Sequence, residues 1–240
     1  MSIRIMLLVL LAAQTSCAPK PSSSPPEKVK PKVLANVEGY SEGIVLESGG
    51  AAFVSLLHRE AVYRIQATGP PTLWYRVNEP NGHKILPDGT HMIAAHGGIH
   101  HVGPDGRLLR IIGEDVVTPN DLAIDGDGGV YVSAPAAAEG DQQKKLSGIY
   151  YLDRNRSAHR VADGFCYPNG IVVRPDGQSL VVNDSCTRQV SVFQISSPGT
   201  ITDRRLFAEF PEATAVPDGM TFDQDGRLYI ADYGSTSSKR

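Results

Sequence analysis

One motif recurs along this chain at near-constant intervals, and it leaves few folds open. PNGHKILPDGTHMIAAH from Pro80, PNDLAIDGDGGVYVSAP from Pro119, PNGIVVRPDGQSLVVND from Pro168 and PDGMTFDQDGRLYIADY from Pro217 align without gaps. Each opens on Pro followed by Asn or Asp, and each reaches an Asp-Gly pair whose Asp stands seven residues further on: Asn81 to Asp88, Asn120 to Asp127, Asn169 to Asp176, Asp218 to Asp225. A weaker copy begins the series, Ser41-Glu42-Gly43 followed by Gly49-Gly50 and AAFVSLL. The leading positions 42, 81, 120, 169 and 218 are spaced by 39, 39, 49 and 49 residues. A period of that size is the signature of a repeat architecture.

Each unit reads as β structure. Alternating apolar residues (Leu122 and Ile124, Ile171 and Val173) precede a Gly-containing turn, and a β-branched or aromatic run such as Val130-Tyr131-Val132 or Leu228-Tyr229-Ile230 follows it. A second hairpin completes the unit, as in GIHHVGPDGRLLRII and GIYYLDRNRSAHRVA. Four strands per 39–49 residues is the period of a propeller blade, so the chain is predicted to be an all-β propeller over 33–240. Units one to four supply four strands each and the fifth supplies two. Val33–Tyr40 is expected to add an outer strand. That makes about four and a half blades, so the propeller is expected to be incomplete at the C-terminus.

The N-terminus is set apart from this repeat. One positive charge precedes the unbroken apolar run Met6–Ala13, and Gln14-Thr15-Ser16-Cys17 follows. Residues 1–17 read as a signal peptide with a lipobox, in which Cys17 is lipidated, or as an ordinary signal cut nearby. Residues 18–32 (APKPSSSPPEKVKPK) are a Pro/Ser/Lys-rich tether. The expectation is an exported protein, a periplasmic or cell-envelope lipoprotein of a bacterium whose membrane contact is this anchor. Cys166 and Cys186 stand nearly equidistant from the predicted turn Arg174-Pro175-Asp176-Gly177. They are placed to close as a disulfide after export; two free, half-buried thiols are the alternative.

Residues 1–32 carry five basic groups against one acid, a net of +4, so the remainder holds −7 of a chain whose total is −3. A folded part that acidic argues against nucleic acid and suits a divalent cation. In a propeller the first strand of each blade lines the central channel. Asn81, Asn120, Asn169 and Asp218, with Glu42 from the degenerate unit, then form a ring at one mouth. Carboxylates and amide oxygens without basic neighbours make a hard-oxygen site, suited to Ca²⁺ first, with Zn²⁺, Mg²⁺ or Mn²⁺ as alternatives. Ordinary turn chemistry is the competing explanation. The substitution of acids for Asn at 42 and 218 speaks against it.

SEG at 41–43, PNGHKILPDG, TPNDLAIDGDG, YPNGIVVRPDG and VPDGMTFDQDGRLYIADYGS together resemble the SMP-30/gluconolactonase family of six-bladed propeller lactonases, over roughly Val37 to Gly234. The resemblance implies that Glu42, Asn169 and Asp218 hold the metal. It implies further that Asn120, and Asn81 with it, helps to bind a small lactone or ester, and that Asp218 is the general base. Thr118 stands where many sugar-lactone members carry Arg. The implied activity is metal-dependent hydrolysis of a lactone; a non-catalytic binding module, or an inactive truncated homologue, is the alternative. Gly39-Tyr40-Ser41-Glu42-Gly43 has the G-x-S-x-G spacing, but Ser41 has no His at a recognisable station, so a serine nucleophile is not expected. The oligomeric state is not legible. His100 and His101 fall on opposite faces of one strand and read as structural, as does His96. Trp74 reads as core or blade-to-blade packing. Residues 136–145 read as a lid over the mouth or a solvated loop.

Overall fold

A computed structural model describes residues 7–9, 33, 35–136, 146–155 and 157–234. Strand β1 (Leu7–Val9) is followed by four sheets of four strands. The first holds β2 (Ser41–Leu46), β3 (Ala52–Leu56), β4 (Ala61–Ile65) and β5 (Thr72–Arg76). The second holds β6 (His83–Ile85), β7 (His91–Ala95), β8 (Gly98–Val102) and β9 (Leu108–Ile112). The third holds β10 (Leu122–Ile124), β11 (Val130–Ala134), β12 (Gly148–Leu152) and β13 (Ala158–Ala162). The fourth holds β14 (Pro168–Val173), β15 (Ser179–Asp184), β16 (Gln189–Ser197) and β17 (Thr200–Glu209). In the fifth, β18 (Pro217–Phe222) and β19 (Leu228–Asp232) pair with each other, and β1 lies on the free edge of β19.

All pairings within the sheets are antiparallel, as the repeat predicts, and each unit of the repeat is one sheet. The turn half of the repeat has a local cause. Asp125 Oδ1 accepts N–H groups from Asp127 and Gly129, and Asp223 Oδ1 accepts those of Asp225 and Arg227. The Gly of each Asp-Gly pair adopts positive φ, +81° at Gly128 and +76° at Gly226, a conformation glycine reaches without a Cβ clash.

The sheets stack face to face with their first strands side by side, β2 against β6, β6 against β10, β10 against β14 and β14 against β18. That is the arrangement of propeller blades. Because the second, third and fourth sheets each lie between two others, their central strands are apolar at consecutive positions rather than alternate ones. On β15, Leu180 and Val182 pack with Tyr131 and Phe193 toward the third sheet, while Val181 packs with Met220 and Ile230 toward the fifth. Phe53 and Ile93 join the first sheet to the second, and Met92 and Val132 join the second to the third. Each such fully buried side chain contributes about 1.5–3 kcal/mol. Trp74 is an inter-sheet contact too, its Nε1 donating to the Pro104 carbonyl at 3.3 Å.

Where the sequence suggests an outer strand at Val33–Tyr40, the described residues of that segment form none. Glu38 instead pairs with Arg59 at 2.8 Å, and the Tyr40 carbonyl accepts the Leu57 N–H. A stretch interrupted by Asn36, Glu38 and a Gly39 at φ +134° is a poor strand former. It follows the loop of the first sheet, and the apolar Leu7–Val9 takes the free sheet edge. Cys17, the tether and residues 137–145 lie outside the described residues.

Candidate active site and metal centre

Glu42, Asn169 and Asp218 are each the second residue of an inner strand, β2, β14 and β18. In all three the strand register shifts at the same place, between Ser41 and Ile44, Pro168 and Ile171, and Pro217 and Met220. A bulge of this kind turns a side chain out of the ordinary alternation. Asn81 and Asn120 stand just ahead of β6 and β10, and none of the five occupies a turn. The glycine that follows has a different cause. A Cβ at Gly43 would sit 2.4 Å from the Asn81 carbonyl oxygen, and one at Gly170 would sit 2.4 Å from that of Asp218. Inner strands approach backbone to backbone here, and only glycine fits.

At the third sheet that position holds Asp121, which the repeat itself marks by departing from glycine. Asp121 is buried. Its Oδ1 accepts the Leu122 N–H at 2.8 Å and meets Lys84 Nζ at 3.2 Å, while its Oδ2 accepts the Ile171 N–H at 3.3 Å. Sequence reasoning missed Asp121 as a site residue, although the PND triplet among PNG and PDG triplets was the available signal.

Three carboxylates now share one region. Burial raises the pKa of Glu42, and repulsion from Asp218 and then Asp121 adds to it, pushing it up to about 8. Burial also raises Asp218, held back by the Gly219 N–H and the Asn169 side chain and raised further by Asp121. The Tyr40 and Tyr167 hydroxyls are raised, first by burial and then by Glu42 and Asp218. Both tyrosines therefore face the same acidic group. Tyr40 meets the ring of Tyr233 at 5.9 Å.

The amides complete the donor set. Asn120 and Asn169 are buried. Asn169 Nδ2 donates to Ser185 Oγ at 3.1 Å and the side chain also hydrogen-bonds Asp218, which leaves its Oδ1 to be offered. Asn183 Nδ2 donates to the Asp218 carbonyl, and its buried Oδ1 has no partner. An orphaned amide oxygen beside mutually repelling carboxylates, with no sulfur or imidazole among these groups, fits a hard divalent cation. Asn81 meets this group through its backbone, and among the described residues its side chain makes no hydrogen bond to Glu42, Asn169 or Asp218.

A second cluster offers metal-ligand atoms, those of Cys166, Asp184 and Cys186, all within 4.8 Å of one another. It is no metal site. The two sulfurs are joined as a disulfide, with Cα atoms 5.7 Å apart, and the Asp184 oxygens are taken by backbone N–H groups. Thr118 has φ +52° and donates its hydroxyl to the Pro135 carbonyl, so its side chain serves the loop. His100 shares a 2.7 Å hydrogen bond with Tyr75 and His101 one of 2.8 Å with Thr90. His96 is exposed beside Glu79.

The SMP-30/gluconolactonase/LRE-like family model matches residues 35–239. The diisopropyl-fluorophosphatase of Loligo vulgaris is 32% identical over 128 residues, 49% of this chain and 41% of that protein. The gluconolactonase of Zymomonas mobilis is 28% identical over 182 residues, 67% of this chain and 51% of that protein. The chain thus spans about half the length of the curated relatives it matches, or less. Among solved structures, the calcium-binding protein regucalcin of Agrobacterium tumefaciens superposes with a TM-score of 0.68 at 17% identity, over 80% of this chain and 67% of that one. At that identity the likeness is one of fold.

Proposed function

We propose, for a chain that belongs to the SMP-30/gluconolactonase/LRE-like family, the hydrolysis of a lactone at the ring formed by Glu42, Asn120, Asn169 and Asp218. On this reading the sheets are blades of a six-bladed propeller. Glu42, Asn169 and Asp218 hold a divalent cation, Ca²⁺ first. The observation that carries the reading is the gathering of the Glu42, Asp121 and Asp218 carboxylates, with Glu42 pushed up to about 8.

When bound, such a cation polarises the lactone carbonyl and offsets the negative charge that develops on its oxygen. Asp218 takes the proton of the attacking water, the role its position at the ring and its raised pKa suit. The Asn169 amide supplies oxygen without adding charge. Asn120 and Asn81 orient the substrate. Tyr40, Tyr167 and Tyr233 present rings and hydroxyls beside the acids, an amphipathic wall for a small cyclic ester.

The test is lactone hydrolysis followed by acid release at constant pH with Ca²⁺ present. Asp218→Asn is expected to lower the rate by about 10²–10⁴-fold, the contribution of a general base. A wild-type chain that folds, binds Ca²⁺ and hydrolyses no lactone sinks the lactonase reading in favour of a binding module. The kinship with a fluorophosphatase makes a phosphorofluoridate the second substrate to assay, since both reactions need an electrophile activated toward water.

We further propose that the chain is exported and anchored through Cys17, in which case Leu7–Val9 leaves with the signal peptide and β1 belongs to the precursor alone. The Cys166–Cys186 disulfide supports export, since such bonds persist in oxidising compartments. Fractionation of a Cys17→Ala variant tests the anchor: it should leave the membrane fraction.

A further inference from the structure

Asn169 leans on a residue that the proposed chemistry does not use. Its Nδ2 donates to Ser185 Oγ at 3.1 Å, and that hydroxyl donates onward to the Pro217 carbonyl at 2.6 Å. Pro217 immediately precedes Asp218. One hydroxyl therefore links the side chain of one ring residue to the backbone carrying another, across two sheets. An amide can present either its oxygen or its nitrogen to a cation, and only the oxygen binds. An acceptor on the nitrogen side decides which way the group faces.

Ser185 is held in its turn. Its N–H donates to the Tyr167 carbonyl at 3.0 Å. The buried carboxylate of Asp184 accepts N–H groups from Cys166 at 2.7 Å and from Tyr167, Cys186 and Thr187 at 3.1 Å each. The disulfide closes the same segment, and the register Pro168 opposite Asp184 places both devices at the end of the β14–β15 pair.

The backbone does not require a hydroxyl here. Tyr233 in the fifth sheet makes the same backbone bond, N–H to the Val216 carbonyl, and Leu57 in the first makes it to Tyr40. Three unlike side chains occupy one station, and in the fourth sheet it is the one whose hydroxyl reaches Asn169.

We propose that Ser185 is a positioning residue of the ring: its hydroxyl sets the Asn169 amide against Asp218, and the Cys166–Cys186 disulfide holds that hydroxyl in place. The inference rests on the reading of the ring as a cation site. Outer partners that orient metal ligands typically govern affinity by 10–100-fold, which sets the scale of the expected effect.

The experiment is calorimetric titration of Ca²⁺ into the full chain, with a thermal melt in chelator as control. Ser185→Ala should weaken Ca²⁺ binding by roughly tenfold and lower the cation-free midpoint by only about 2–4 °C, because the hydroxyl's two part-buried hydrogen bonds are lost while the backbone bond survives. Ser185→Thr, which keeps the hydroxyl, should restore the affinity. The Cys166→Ser/Cys186→Ser variant should weaken binding too, and adding Ser185→Ala to it should weaken binding by less than that change does alone. If wild type and Ser185→Ala bind Ca²⁺ equally, the positioning role is wrong and the cation reading stands. If wild type binds no divalent ion, the cation reading falls and takes this inference with it.

Discussion

Lys84, on the inner strand of the second sheet, reaches Asp121 at the head of the third, Nζ to Oδ1 at 3.2 Å. Asp121 also faces Glu42 and Asp218, so one ammonium partly offsets a group of three carboxylates. Charge at this ring is therefore adjustable from a residue outside the proposed ligand set. Lys84→Met should strengthen Ca²⁺ binding several-fold while lowering cation-free stability by roughly 1 kcal/mol, as expected for a partly buried pair. Asp121→Asn should weaken Ca²⁺ binding by a similar factor. Calorimetry and a melt in chelator measure both; equal affinities in the two variants would mean that Asp121 is remote from the cation.

The cation should register in stability. At 100 times its Kd, Ca²⁺ adds about 2.7 kcal/mol to the folded state. For wild type that appears as a raised melting midpoint, and in Glu42→Gln the rise should be reduced or lost. A rise of equal size in the variant would place the ion elsewhere.

Glycine at the repeat position should matter wherever a strand lies against it. Gly170→Ala drives a methyl onto the Asp218 carbonyl and the Asn183 amide, and is expected to destabilise by about 1–3 kcal/mol. At Gly219 an added Cβ meets nothing within 4 Å, and Gly219→Ala should change stability by less than about 0.5 kcal/mol. Urea unfolding in chelator compares the two. Similar losses at both would contradict the packing described for β14 and β18.

Acid should act through a buried imidazole pair. His83 Nε2 and His91 Nδ1 lie 2.8 Å apart, under Trp74 and Phe53. Burial depresses both pKa values, His83 well below its usual range and His91 to about 4. The unfolded chain protonates first, so their contribution is complete above about pH 6.5 and is lost as pH falls toward 4. The cation-free melting midpoint should drop over that window. His83→Leu/His91→Leu should flatten the slope. Glu42, with its raised pKa, works in the opposite direction there, since the folded state takes up its proton more readily than the unfolded chain. A steeper fall in the double variant would assign the acid sensitivity to other groups.

The repeat made the sheets legible because turn chemistry and strand alternation are local. The Asp-Gly positions, the inner strands and the symmetric station of Cys166 and Cys186 all follow from short-range pattern. The five leading residues were legible for the same reason, being one position of one repeat. What was not legible crosses between units. Asp121 meets Ile171, fifty positions away, and Ser185 meets Pro217 across a sheet boundary; no periodicity reports which side chains meet there. The outer strand expected at Val33–Tyr40 is absent among the described residues because Asn36, Glu38 and a Gly39 at positive φ interrupt it, which a count of strands per repeat does not weigh.

The proposed ring draws on residues at or just ahead of the inner strands, with Glu42 near one end of the described chain and Asp218 near the other. Such a site has no local precursor. Any excursion that parts the first sheet from the fifth disperses the ligands at once, even with every hairpin intact. Occupancy of the proposed ring would thus report whether the first and fifth sheets have come together, and would slow those openings that hairpin pairing by itself leaves unguarded.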